Sequence, residues 1–188
     1  MPTNLAGVTE QDRRRWDERY SRLGPPRLDA IAAPSFLRAH ADIVPAAGHA
    51  LEVACGQGLA AVWLARRGLQ VWGIDVSEVA VEQARDLARR SGVDERCQFD
   101  VVDLDDGLPA GPAVDMLLCH KFRDRRLDQA LVERLAPGGL LAIATHSEVD
   151  ATPGPFRAMR GELSAVFGDL EVMAAGEGDG RAWLLGRA

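Results

Sequence analysis

The stretch "ALEVACGQGLAAVWLARRG", Ala50 to Gly68, constrains this chain more than any other. A short apolar run, a turn carrying Gly56 and Gly58, and a longer run with apolar residues at helical spacing read as strand, tight turn and helix. Glycines in such a turn let backbone approach a ligand closely, and the free amides of the following helix favour negative charge or polar oxygens there. A unit of this kind buries its strand between helices, so the chain is expected to form a layered α/β structure with a ligand site at the carboxyl ends of its strands. Taken literally, Gly56-x-Gly58-x-x-Ala61 also fits the dinucleotide fingerprint. From this stretch alone, an NAD(P)-dependent oxidoreductase stands as one reading.

The remainder of the chain repeats the alternation. "QVWGID" reads as a second strand, and "SEVAVEQARDLARRSG" as a helix with Ser77 as N-cap and Gly92 beyond its end. "CQFDVV" and "AVDMLLC" are strands; a helix is expected in "DRRLDQALVERL", stopped by "PGG" before the strand "LLAIAT". After a helix in "PFRAMRGELSAVF", the segments "LEVMAAGE" and "RAWLLGRA" flank Asp179-Gly180, a dipeptide suited to a tight hairpin, so the sheet should end in an antiparallel pair. Ahead of the core, "TEQDRRRWDERYSRLG" predicts a helix from an N-cap at Thr9 to a stop at Gly24, and "PSFLRAHADIV" a second short one.

Composition narrows the function classes. The chain has 188 residues, 47% hydrophobic and 27% charged, enough for one domain with a sizeable core, and carries a formal net charge of -6. That charge argues against nucleic acid, whose binding rests on neutralising phosphates. Nowhere do about 18 uncharged apolar residues run together, and the N-terminus lacks the apolar segment of a secretory signal, so no membrane association and a cytoplasmic location are expected. Cys55, Cys97 and Cys119 show neither a disulfide framework nor metal-ligand spacing.

Two acids sharpen the reading. Asp75 closes the second strand, where a carboxylate accepts from both hydroxyls of a ribose or serves only as an acid before the next helix. Glu52 lies inside the first strand, four residues before Gly56, and a buried acid needs a partner. Together "LEVACGQG", "GIDVS", "FDVVDLDDGLP" and "LAPGGLLAIAT" resemble the class I S-adenosylmethionine-dependent methyltransferases, whose first motif is E/D-x-G-x-G-x-G. Here it reads Glu52-x-Ala54-x-Gly56-x-Gly58, with alanine in place of the first glycine.

The resemblance implies an α/β fold, a Rossmann-like doubly wound seven-stranded sheet, mostly parallel with an antiparallel C-terminal strand. Residues 1–48 would be a helical lid and 49–188 the core. It implies S-adenosyl-L-methionine as cofactor: Glu52 organising the region around the methionine amino group, Ala54, Gly56 and Gly58 passing the cofactor closely, Asp75 on the ribose with Val76 beside the adenine, Asp103 accepting from the adenine amine, and the Leu104 amide reaching a ring nitrogen. Asp103 reads equally as a turn cap in an acidic loop. Trp16, Arg19 and Tyr20 resemble the W-D-x-R-Y segment that lids the cofactor in small methyltransferases of the thiopurine and tellurite-resistance types, with Arg19 toward the methionine carboxylate; packing of Trp16 and Tyr20 on the core is the plainer alternative.

His120, immediately after the fourth strand, is the candidate base or orienting group for an acceptor, and His146 closes the fifth. Lys121 and Arg123 add charge that suits an anionic substrate or a solvated face, and Phe122 is expected to be buried. The place of the N-P-P-Y turn used by amino-group methyltransferases reads Cys119-His120-Lys121-Phe122. The function implied is methyl transfer to a small molecule, at a soft S, Se or Te atom or at oxygen; a non-catalytic S-adenosylmethionine-binding module and the oxidoreductase are the rivals. Oligomeric state is not written in any of these features.

Overall fold

The computed structural model describes residues 10–154 and 156–188. The lead segment forms α1 (Glu10–Leu23), ended by Gly24 at φ +69, and the one-turn α2 (Ser35–Arg38). The expected Thr9 cap lies outside the described residues. Then come β1 (His49–Val53), α3 (Leu59–Arg67), β2 (Gln70–Asp75), α4 (Glu78–Arg90), β3 (Cys97–Val101), β4 (Val114–His120), α5 (Asp128–Glu133), β5 (Leu135–His146), α6 (Glu162–Val166), β6 (Glu171–Gly178) and β7 (Arg181–Arg187). The strands make one seven-stranded sheet in the order β3-β2-β1-β4-β5-β7-β6. The pairs from β3 through β5 are parallel, whereas β7 is antiparallel to β5 and β6, as expected of the C-terminal strand.

The sheet is covered on both sides because its central strands are apolar on both. Ala50, Met116, Leu118, Leu140 and Leu185 join α3, α4 and Leu37 of α2 in one core layer. Leu51, Val53, Leu117, Leu141 and Leu184 join Leu131 of α5 and Leu163 of α6 in the other. Helix ends follow local chemistry. Ser77 accepts from the Ala80 amide at 3.1 Å to start α4, and Gly68 at φ +116 ends α3. Asp179 and Gly180 both take positive φ, +51 and +70, which matches the twist of the β6–β7 hairpin.

Three helices are shorter than their periodicity predicts. Residues 34–44 give α2 and a 3-10 turn at Ala41–Ile43, because His40 at φ -123 leaves the helical region. Residues 124–135 give a 3-10 turn at Arg125–Leu127, started by Asp124 accepting from the Arg126 amide, and then α5. In the segment from 155 to 167 only α6 is helical, since Ala158 is captured by backbone bonds to His146 and Glu148 at the end of β5; Pro155 lies outside the described residues. "PGG" does not separate α5 from β5 but sits inside β5, across a register shift, where Gly138 and Gly139 exchange backbone bonds with the C-terminal Ala188.

Gly58 has a structural reason that its motif does not reveal. It caps α3 at φ +74, and a Cβ there would stand 2.8 Å from Ala84 and 3.1 Å from Phe99. Gly58→Ala should therefore cost ~2–4 kcal/mol, combining left-handed strain with overpacking, in a chemical denaturation curve.

Candidate active site

The cavity that follows from this topology, about 730 Å³ in volume, lies across the carboxyl ends of β2, β1, β4 and β5 and the start of β7. Register decides which side chains reach it. Glu52 pairs with Gly73 and Leu118, His120 with Ala144, Ala144 with Trp183 and His146 with Arg181. Paired residues share a face and side chains alternate, so Glu52, Asp75, His120, His146, Arg181 and Trp183 all leave the sheet on the side roofed by α2 and α3.

One end is acidic and buried. Asp75 is buried and its two oxygens accept from Gly56 N at 2.8 Å and Ser77 N at 2.9 Å; burial pushes its carboxyl up, and these amides pull it back. Glu52 is 4% exposed and its Oε2 has no hydrogen-bond partner. Burial raises its pKa to about 8, against the Ala61 amide in the first turn of α3, with Asp75 adding repulsion. A buried carboxylate with an orphaned oxygen lacks a cationic donor. Ala54, at φ +55 where its motif favours glycine, and Val76 line the same end.

Helix α1 covers this end, with Asp17 and Tyr20 meeting the core. The Tyr20 hydroxyl stands over Gly56, where a Cβ would meet it at 2.7 Å; burial first and Asp75 second push the phenol well above its ordinary pKa. Trp16 stacks on Tyr20 at 6.0 Å, with the Arg19 guanidinium 5.5 Å from the Trp16 ring. Asp17, the acid of the W-D-x-R-Y segment, to which the sequence assigns no role, accepts from Ser77 Oγ at 2.6 Å and from Val79 N at 3.4 Å. Gln57 is equally unmarked in the sequence; its amide donates to Gly24 O at 2.7 Å and approaches Gln83 at 2.6 Å. Both lie beside recognisable motif residues, but a long-range partner leaves no local signature.

The other end is aromatic and cationic. Phe36 of α2 lies 5.6 Å from the His120 ring and 6.2 Å from Trp183, and His40 lies 5.6 Å from Trp183. Trp183 needs Gly176 opposite it on β6, where a Cβ would come within 2.5 Å of the indole nitrogen. Burial, then Lys121, Arg181 and His146, lower the His120 pKa to about 4, so the imidazole is neutral at pH 7. Lys121, at φ +62, and His146 also line the cavity, and burial with nearby cations lowers His146.

Several candidates sit elsewhere. Gly58 faces Ala84 and Phe99 rather than the cavity. Leu104 is on the cavity wall, but Asp103 is not: it accepts from the Asp105 amide at 3.0 Å, the turn-cap alternative, and meets Arg13 at 3.5 Å. Arg123 contributes no charge to the cleft. Its side chain is 1% exposed and held by Asp128 and Glu162, so it ties the β4–α5 connection to α6. Phe122 packs partly on the lower core and partly against the cavity.

Residues 50–139 match the family described as a methyltransferase domain. Over 106 residues, 52% of this chain, the sequence is 39% identical to methyltransferase GfsG of Streptomyces halstedii, covering 38% of that protein. Over 112 residues, 54% of the chain, it is 33% identical to ribosomal RNA small subunit methyltransferase C of Alcanivorax borkumensis, covering 33% of it. The chain thus spans between a third and two fifths of the length of these two relatives. In fold it is similar to TehB from Haemophilus influenzae, with a TM-score of 0.73 and 17% identity over 92% of this chain and 66% of that one.

A carboxyl whose pKa is higher folded than unfolded binds more protons when folded, so its contribution turns unfavourable as pH rises from its ordinary 4.5 toward 8. Glu52→Gln is accordingly expected to raise the melting temperature of the ligand-free protein at pH 8, by about 2–4 °C for each kcal/mol relieved in a chain of this size. At pH 5, where Glu52 is already protonated, scanning calorimetry should find little change.

Proposed function

We propose that this protein is a class I S-adenosylmethionine-dependent methyltransferase that transfers the methyl group of S-adenosylmethionine to a small molecule, a reading supported by the methyltransferase-domain match over residues 50–139 and by its likeness in fold to a methyltransferase from Aquifex aeolicus. The observation that carries the reading is Glu52: a buried carboxylate oxygen without a donor, facing the cavity beside Gly56 and Asp75, fits the ammonium of the cofactor's methionine part. When bound, S-adenosylmethionine supplies a methyl group on a sulfonium, which an acceptor's lone pair takes while the C–S electron pair leaves with the sulfur of S-adenosylhomocysteine.

The residues of the chain bind, orient and exclude water. Asp75 retains lone pairs for the ribose hydroxyls while two amides hold it still. Tyr20 and Trp16 roof the glycine loop, and Arg19 stands free for the methionine carboxylate. Asp103 reaches an adenine amine in this reading only if it keeps an oxygen free of Arg13 and the Asp105 amide. Displacement at a sulfonium needs alignment more than acid–base help.

That bears on His120. Protonating an imidazole of pKa about 4 at pH 7 costs at most ~4 kcal/mol, so His120 serves best to orient an acceptor that is already anionic or soft, and accepts a proton only from an alcohol or phenol. The acceptor is a soft S, Se or Te nucleophile or an oxygen. A cavity within the ~300–1,000 Å³ range of small-ligand sites, closed by the lid in a chain of net charge -6, favours a small molecule over nucleic acid. Three free thiols support a cytoplasmic setting.

Calorimetric titration tests this. S-adenosylmethionine and S-adenosylhomocysteine should bind in the micromolar range and NAD(H) should not; at pH 7 binding should release a proton from Glu52, seen as a dependence of the heat on buffer ionisation enthalpy. Binding of NAD(H) alone would overturn the reading. His120→Ala should keep cofactor affinity within about twofold while lowering turnover of a phenolic acceptor by ~10²-fold or more, and of a thiol far less.

A further inference from the structure

Resting on the methyltransferase reading, we propose that the acceptor is an aromatic anion: a flat ring laid against the Phe36–His120–Trp183 cluster, with a carboxylate or comparable acidic group taken by Lys121, Arg181 and Arg38.

Three chain segments each bring one ring and one cation to this end of the cavity. α2 supplies Phe36 and Arg38, the end of β4 supplies His120 and Lys121, and the start of β7 supplies Trp183 and Arg181. Phe36 packs against both His120 and Trp183, at 5.6 and 6.2 Å and tilts of 46° and 41°, so the three rings form one continuous aromatic surface on the cavity wall, against which a flat ligand can lie. Backbone is committed to this arrangement. Gly176 leaves room for the Trp183 indole, and Lys121 holds a left-handed φ of +62 while its amide donates to Ala144 O at 2.7 Å. A strained non-glycine residue at a cavity wall marks a place where position matters more than local stability.

The charge count points to an anion. Among the described residues, the only acids on the cavity wall are Glu52 and Asp75, both at the far end under the glycine loop. Among the same residues, Arg38, Lys121 and Arg181 form no ion pair, although the chain is acidic overall and pairs Arg13, Arg14, Arg22, Arg27 and the arginines of α4 with nearby carboxylates. Arg38 spends only its Nε, on Ala33 O at 3.1 Å. With Glu52 opposite the cofactor ammonium and Arg19 opposite its carboxylate, the remaining three cavity cations are left, among the described residues, without a carboxylate partner. Cations of one sign around a cleft raise the local concentration of an anion and steer it inward. The neutral His120 ring sets no charge against it.

The test is calorimetry with benzoate, 2-naphthoate and thiosalicylate, their neutral amides, and hexanoate, on wild type and on a Lys121→Gln/Arg181→Gln variant, each with and without saturating S-adenosylhomocysteine. At least one aryl carboxylate should bind about tenfold or more tightly than both its amide and hexanoate. The double variant should lose that preference while keeping its affinity for S-adenosylhomocysteine, which shows that it is folded. Equal affinity for acid and amide, preference for hexanoate, no binding of any aryl carboxylate, or a preference that survives the double substitution overturns the proposal. Failure of wild type to bind S-adenosylhomocysteine would instead count against the methyltransferase reading, and the titrations without it would still decide the aromatic anion.

Discussion

The structure turns on one buried carboxylate. Asp75 ends β2 and accepts the amides of Gly56 and Ser77 on its two oxygens. The first bond fixes the turn between β1 and α3; the second fixes the entry to α4. Ser77 passes the constraint outward, since its hydroxyl caps α4 at Ala80 and donates to Asp17 of the lid. Lid, glycine turn and the first two helices of the core are therefore registered against one another by a single side chain. Amide donors make that burial tolerable, because a carboxylate with several such bonds keeps its charge where a bare one would take up a proton.

Glu52 shows the contrast. It sits nearby on the same face, with an orphaned oxygen and a pKa pushed up to about 8. Asp75 is satisfied by the fold, and one oxygen of Glu52 is not. A division of charge runs along the cavity: among the described residues its two acids, Glu52 and Asp75, lie at one end, and Arg38, Lys121 and Arg181 at the other. Two of the four described non-glycine residues with positive φ, Ala54 and Lys121, line its wall. A left-handed conformation costs roughly 1–2 kcal/mol each, and stability given up around a binding cleft is the usual accompaniment of pre-organisation.

Much of this is legible in the amino-acid sequence. The alternation of strands and helices, the Ser77 cap, the Gly24 and Gly68 stops and the Asp179-Gly180 hairpin rest on signals a few residues long, and all appear in the fold. Glu52 and Asp75 stand out because acids in apolar strands need a reason. The features that depart from the sequence pattern share a different character. The helix at Asp124 loses its first turn to the aspartate's own bond with the Arg126 amide, the one at Ala158 loses to backbone at the end of β5, and Arg123 reads as cleft charge although Asp128 and Glu162 close around it. Gly58 belongs to the motif, yet its absent side chain makes room for Ala84 and Phe99.

The sequence by itself determined the order in which strands and helices alternate and the acids, Glu52 and Asp75, at one end of the cavity, because capping, turn formation and hydrophobic period act over spans of two to five residues. Tertiary structure alone decided that Phe36 packs against both His120 and Trp183, that Asp17 and Gln57 tie the lead segment to the core, and that Arg38, Lys121 and Arg181 share one rim. These residues lie up to about 150 positions apart. Only strand order and register bring them together, and neither is encoded in any local stretch of the chain.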